Sequence, residues 1–73
     1  MMTTLELRSI LSYGGSIVVS AKDFSSLELR SLAMEAKANN AKLYIKRADA
    51  LSPLVCKGIA MSGGKGNIIF DFS

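Results

Sequence analysis

The chain has 73 residues, a net charge of +3 from nine Lys or Arg against six Asp or Glu, and a hydrophobic fraction of 49%. One cysteine and no histidine exclude an intramolecular disulfide and leave no ligand set for a structural zinc ion. A core this small supplies only about 3–5 kcal/mol, so we expect self-association to add stability.

Apolar runs are too short to span a bilayer, and the first residues lack the basic start and long apolar stretch of a secretion signal. We therefore expect a cytoplasmic protein with no membrane partner. Charges of both signs are interspersed along the chain without a basic tract, which permits binding to nucleic acid or anionic lipid without indicating it.

An internal repeat organises the chain. The segments TTLELRSI, SSLELRSL and SPLVCKGI align without gaps, starting at residues 3, 25 and 52. These starts lie 22 and 27 residues apart, in the range of repeats that combine one helix with one strand. We predict a single domain over 1–73, made of three units at 3–24, 25–51 and 52–73.

Each unit opens with a hydroxyl residue that can cap a helix, because its side chain accepts a hydrogen bond from a free backbone N–H. Thr3, Ser25 and Ser52 hold this position. Glu6 and Glu28 complete a capping box in the first two units, and a proline follows the cap in the third. Three helix starts are thus predicted.

Apolar residues then recur at helical spacing, which predicts that one face of each helix packs on a sheet. The members of the predicted faces are Leu5, Ile10 and Leu11, then Leu27, Leu32, Ala33 and Ala36, then Leu54, Ile59 and Ala60. Gly or Asn pairs at 14–15, 39–40 and 63–64 tolerate left-handed backbone and are expected to end the helices.

A β-branched or aromatic run follows each helix and is predicted to be a strand. The runs cover 16–21, 42–47 and 67–72. Because successive side chains of a strand point to opposite faces of the sheet, alternate residues of each run are predicted to point toward the helices. Aligned across the three strands, they form two rows. These rows are Ile17, Leu43 and Ile68, and then Val19, Ile45 and Phe70.

Helix and strand alternate three times, which predicts parallel strands joined by right-handed crossovers. The expected fold class is α/β, a short solenoid-like three-stranded parallel sheet with the helices on one face. Parallel sheets normally have both faces covered, but this chain is expected to supply helices for only one. The uncovered second face is therefore the feature of the sequence that most strongly indicates a function.

That second face is the first candidate site, and an exposed apolar stripe there would mark an interface. Its predicted members are Val18, Tyr44 and Ile69, flanked by Lys46 and Asp71, which could pair across strands, with Phe72 beyond them. We interpret the chain as a small protein-interaction or assembly module that self-associates or docks on a protein partner. A late loop or the first two residues could cover the face instead.

The outer strands also leave sheet edges, which edge-to-edge pairing or head-to-tail stacking of copies would cover. Charged residues at the edges, such as Lys22 and Asp71, are the alternative protection. A closed symmetric dimer is the commoner arrangement of homo-oligomers.

A second candidate site lies on the helices. Arg8, Arg30 and Lys57 share one repeat position, so they are predicted to form a basic row that could hold nucleic acid phosphates. Solvated charges, or ion pairs within and between units, are the simpler interpretation.

The sequence contains no residue set typical of catalysis. Without a histidine, Cys56 lacks a base, and its aligned partners Leu7 and Leu29 predict a buried apolar role. The SGGKG segment at 62–66 leaves a helix and enters a strand, opposite to a phosphate-binding loop. We expect no enzymatic activity, no cofactor and no metal.

Overall fold

Three helices alternate with three strands in the computed structural model, which describes residues 2–73. The elements are α1 (Thr4–Ser12), β1 (Ile17–Ser20), α2 (Ser26–Ala38), β2 (Leu43–Lys46), α3 (Pro53–Gly63) and β3 (Ile68–Phe70). The sheet order is β1-β2-β3 and both strand pairs are parallel. α2 packs between α1 and α3. The predicted α/β class and three-stranded parallel sheet are confirmed.

The predicted helix caps are present in all three helices. Thr3 Oγ1 accepts a hydrogen bond from the Glu6 amide at 3.2 Å, and the Glu6 carboxylate accepts one from the Thr3 amide at 2.8 Å. Ser25 and Glu28 form the same reciprocal pair at 3.2 and 2.9 Å. The backbone hydrogen bond lowers the pKa of each glutamate below its usual value. Ser52 caps α3 without a glutamate.

The strand register agrees with the alignment of the three units. The inward rows are Ile17, Leu43 and Ile68, and Val19, Ile45 and Phe70, as predicted. Together with the helices they enclose one hydrophobic core, whose largest fully buried side chains are Leu11, Leu29, Leu32, Leu43, Ile45 and Ile59. The core therefore lies between the helix layer and one face of the sheet.

The predicted helix faces were wrong at their first positions. Leu5, Leu27 and Leu54 are 74%, 74% and 79% exposed, and Ala60 is also exposed. The buried residues of α2 are Leu29, Leu32, Ala33 and Ala36. Leu27 precedes Leu29 by two residues, which is roughly 200° around the helix, so it points away from the sheet.

The strands are shorter than predicted. β1 ends at Ser20, where a 3-10 turn over Ala21–Asp23 begins, β2 ends at Lys46 ahead of a second turn over Ala48–Ala50, and β3 stops at Phe70. The helix ends agree with the sequence, since Gly14, Asn40 and Gly64 have φ of 86°, 52° and 71°. Within residues 2–73, none of the helices has the length and apolarity to cross a membrane.

Two glycines of α3 give a matched test of the packing between α3 and β3. A Cβ at Gly63 would overlap the side chain of Ile68, whereas one at Gly58 would meet only Arg30 Nε, at 4.0 Å. We expect Gly63→Ala to lower the free energy of unfolding by about 1–3 kcal/mol. Gly58→Ala should raise it by about 1 kcal/mol because alanine favours the helix. Urea unfolding measures both, and equal effects of the two changes would contradict the described packing.

Candidate interaction surfaces

The helix-free face of the sheet brings together the three central residues predicted for it. Val18 pairs with Tyr44 and Tyr44 with Ile69, so the three form one row across the strands. Val18 is 61% exposed, Ile69 is exposed and Tyr44 is half-buried. A shallow groove of about 220 Å³ on this face is lined by Ser16, Ile17, Val18, Lys42, Tyr44 and Ile69. We call Val18, Tyr44 and Ile69 the sheet-face row.

Tyr44 is held by a hydrogen bond to the end of the chain. Its hydroxyl donates to Asp71 Oδ2 at 3.0 Å, while the amide and hydroxyl of Ser73 donate to Asp71 Oδ1. The bonds from Ser73 and then from Tyr44 hold the pKa of the Asp71 carboxyl below its usual value. In turn the Asp71 carboxylate, through the hydrogen bond and its charge, raises the pKa of the Tyr44 hydroxyl.

The predicted pairing of Lys46 with Asp71 is not formed. The ion pairs within 4.0 Å in residues 2–73 are Arg8–Glu35 and Arg47–Asp49. Asp71 instead uses its two oxygens for Tyr44 and Ser73, and Lys46 remains exposed at the end of β2. The Lys46 charge still contributes to the low pKa of Asp71, as its smallest cause.

Phe72 contacts a residue of an inward row. Its ring stacks on that of Phe70, with 6.0 Å between the ring centroids and 24° between the planes. Phe70 itself packs against the hydrophobic core. Phe72 is exposed.

The basic row predicted on the helices is only partly available to a ligand. Arg8 Nη2 lies 3.4 Å from Glu35 Oε1, an ion pair between the first and second units. Arg30 and Lys57 are exposed, and no carboxylate of the described chain lies within 4.0 Å of either cation. One of the three cations is therefore already engaged.

The outer face of the helix layer carries exposed apolar side chains that the sequence interpretation missed. They are Leu5, Leu27, Leu54, Met34 and Met61. A groove of about 450 Å³ between α2 and α3 is lined by Met34, Lys37, Ala38, Met61 and Ser62. The three leucines share one repeat position, two residues before Leu7, Leu29 and Cys56, and a separation of two residues is roughly 200° around a helix.

Cys56 also differs from expectation. Leu7 and Leu29 at the aligned positions are buried, but Cys56 is half-buried. Within the described residues no group of three or more His, Cys, Asp or Glu is close enough to hold a metal ion.

Comparisons of the chain with protein-family models, curated proteins and solved structures find no match. A functional interpretation must therefore come from the surfaces themselves. These are the sheet-face row, the outer helix face and the edges of the two layers.

The bond between Tyr44 and Asp71 can be tested by titration. In a Tyr13→Phe background Tyr44 is the single tyrosine. We expect Asp71→Ala to move the tyrosinate absorbance transition to lower pH, because the carboxylate that stabilises the protonated hydroxyl is removed. Lys46→Ala in the same background is the control for a general change of charge. An unchanged midpoint in Asp71→Ala would contradict the hydrogen bond.

Proposed function

We propose that this chain is a cytoplasmic assembly module without enzymatic activity, which self-associates by burying the helix-free sheet face against a second copy. The observation that carries the proposal is the sheet-face row, three side chains in register on the face opposite the helices. Parallel sheets are normally covered on both faces, and the helices of this chain cover one.

The chemistry of the row suits burial in an interface. Val18 and Ile69 offer only apolar atoms, and the Tyr44 hydroxyl already donates to Asp71. A polar group that is buried without a partner destabilises an interface, whereas one that is already hydrogen-bonded does not. The charged side chain of Lys46 lies at the end of β2 and can stay in water at the rim.

A second copy is the favoured occupant of the face. A chain of 73 residues gains little from its own core, so added burial has a large effect on its stability. In a symmetric dimer the row of one copy packs against the same row of the second copy. This twofold arrangement is the commonest among homo-oligomers. Docking on a different protein remains an outcome of the test below.

We also propose that the three units are a short solenoid-like repeat. The shared caps, the shared strand register and the repeated position of Arg8, Arg30 and Lys57 support this description. In such repeats each unit contacts only its neighbours, which fits the central position of α2 between α1 and α3.

Binding to nucleic acid is the alternative function, and it has less support. The ion pair of Arg8 with Glu35 reduces the basic row to Arg30 and Lys57. If the alternative holds, affinity for duplex DNA should fall steeply as salt rises, and Arg30→Ala with Lys57→Ala should abolish it.

Light scattering after gel filtration tests the interface on the sheet face. We expect the wild-type chain to form an oligomer that persists at high salt, because apolar burial is not screened by salt. Tyr44→Asp should shift the mass toward the monomer, since it places a charge at the centre of the apolar row.

The matched control is Leu27→Asp, the same kind of change at a residue that is 74% exposed on the outer helix face. It should leave the mass unchanged. Circular dichroism checks that both variants fold, and Val18→Lys provides a second disruption at a position that is already open to solvent. A wild-type chain that is monomeric at every concentration would refute self-association through this face.

A further inference from the structure

Consecutive helices meet through two different flanks. Arg8 of α1 forms its ion pair with Glu35 of α2, and Thr4 Oγ1 of α1 donates to Glu28 Oε2 of α2 at 2.9 Å. We call the side of a helix that faces the following helix its leading flank, here Thr4 and Arg8. The side that faces the preceding helix is its trailing flank, here Glu28 and Glu35.

The same flanks meet between α2 and α3. Arg30, at the repeat position of Arg8, lies against Gly58, where an added Cβ would be 4.0 Å from its Nε. One turn further along, Ala33 lies against Gly63, where an added Cβ would be 3.4 Å from the Ala33 Cβ. The leading flank thus carries a cation that rests on the next helix in both pairs.

Each outer helix leaves one flank uncovered within residues 2–73. On α1 the trailing flank has Glu6 and Tyr13, at the repeat positions of Glu28 and Glu35, and Tyr13 is 91% exposed. On α3 the leading flank has Lys57 and the exposed Ala60, at the positions of Arg30 and Ala33. One uncovered flank is acidic and aromatic, and the other is cationic.

The uncovered flanks also expose apolar surface that is buried inside the helix layer. Ala33 on α2 and Ile59 on α3 are fully buried. The same repeat positions hold Ala60 on α3, which is exposed, and Ile10 on α1, which is only half-buried. A docked copy would cover this surface at both ends of the layer.

The sheet has matching free edges. Within the sheet, the Leu43 amide donates to the Asn67 carbonyl at 2.8 Å, and the Asp71 amide to the Ile45 carbonyl at 2.9 Å, so the inner side of β3 is paired. The outer sides of β1 and β3 present backbone groups that no strand pairs with in the described chain. Beside the β1 edge lies an apolar groove of about 210 Å³, lined by Met2, Leu7, Val18, Val19 and Phe24 with Ser20 and Asp23.

We propose that a second copy of this chain docks head-to-tail, with α1 of the next copy on α3 of the first and β1 beside β3. The contact repeats the geometry that already joins the units inside the chain. Lys57 lies against Tyr13 of the next copy as a cation–π pair, with Glu6 of that copy adding an opposite charge. Such a heterologous contact joins unlike surfaces, so it builds rings or open arrays according to the rotation between successive copies.

Cross-linking between two engineered cysteines tests the contact. In a Cys56→Ala background, Tyr13→Cys and Lys57→Cys are made as separate variants and treated with a short bismaleimide. We expect each variant alone to give little covalent dimer, because the contact pairs unlike flanks and so brings a cysteine against an unreactive residue. Mixed together they should give several-fold more covalent dimer than either single variant, since the strand edges and the remaining flank residues still raise the effective concentration of the two thiols, although the pair of Lys57 with Tyr13 is lost at the linked contact. The double variant should give a ladder of dimers, trimers and larger species.

Two controls calibrate the result. Arg8→Cys with Glu35→Cys places cysteines at the same two repeat positions inside one chain, so the reagent should join them within a monomer if it spans the distance. Ser9→Cys mixed with Ala60→Cys keeps Tyr13 and Lys57 intact and should also yield dimer. Mixtures that give no more dimer than the single variants, or single variants that dimerise as well as the mixtures, would overturn the head-to-tail contact.

The head-to-tail contact is independent of the sheet-face row, and the experiment separates the two. Repeated in the Tyr44→Asp background, the mixture should still yield the covalent dimer, although that variant loses the interface proposed on the sheet face. If the cysteine mixture no longer gives the covalent dimer in the Tyr44→Asp background, the proposal of a head-to-tail contact that is independent of the sheet-face row is overturned.

Discussion

The structure depends on the hand of its two crossovers. Each crossover runs from a strand through a helix to the next parallel strand, and such connections are right-handed. Because the strand order β1-β2-β3 follows the chain, both crossover helices fall on the same face of the sheet, and α1 packs beside them. One layer of helices then covers one face, and no helix of the described chain lies on the other. The exposure of the strand residues follows from this arrangement. Val19 points to the helix layer and is buried, whereas its neighbour Val18 points to the other face and is exposed.

Local chemistry was predictable from the sequence, and the rotation of side chains about the helices was not. The caps at Thr3 and Ser25 depend on residues three positions away, the strand register follows from the alignment of the three units, and the period of two assigns each strand residue to a face of the sheet. Leu27 was misassigned because several apolar stripes can be drawn on one helix and only tertiary packing selects between them. The hydrogen bond of Tyr44 to Asp71 joins residues 27 positions apart in the chain. The sequence alone suggested Lys46 as the partner of Asp71 and did not distinguish it from Tyr44.

The proposed surfaces differ in chemistry. The sheet-face row is apolar, with its one hydroxyl already satisfied by Asp71, so it suits a contact that salt does not weaken. The flanks of α1 and α3 carry opposite charges and a nearly fully exposed tyrosine, so that contact is more directional and more sensitive to ionic strength. Together they would let one small chain both pair and extend, which is the property of an assembly module.

Nuclear Overhauser contacts between copies test whether a second copy covers the helix-free face. Labelled and unlabelled chains are mixed, and isotope filtering selects contacts between different molecules. We expect intermolecular contacts from the methyl groups of Val18 and Ile69 to the ring of Tyr44. A spectrum in which these methyl groups contact no other copy, at a concentration where the chain is oligomeric, would contradict self-association through this face.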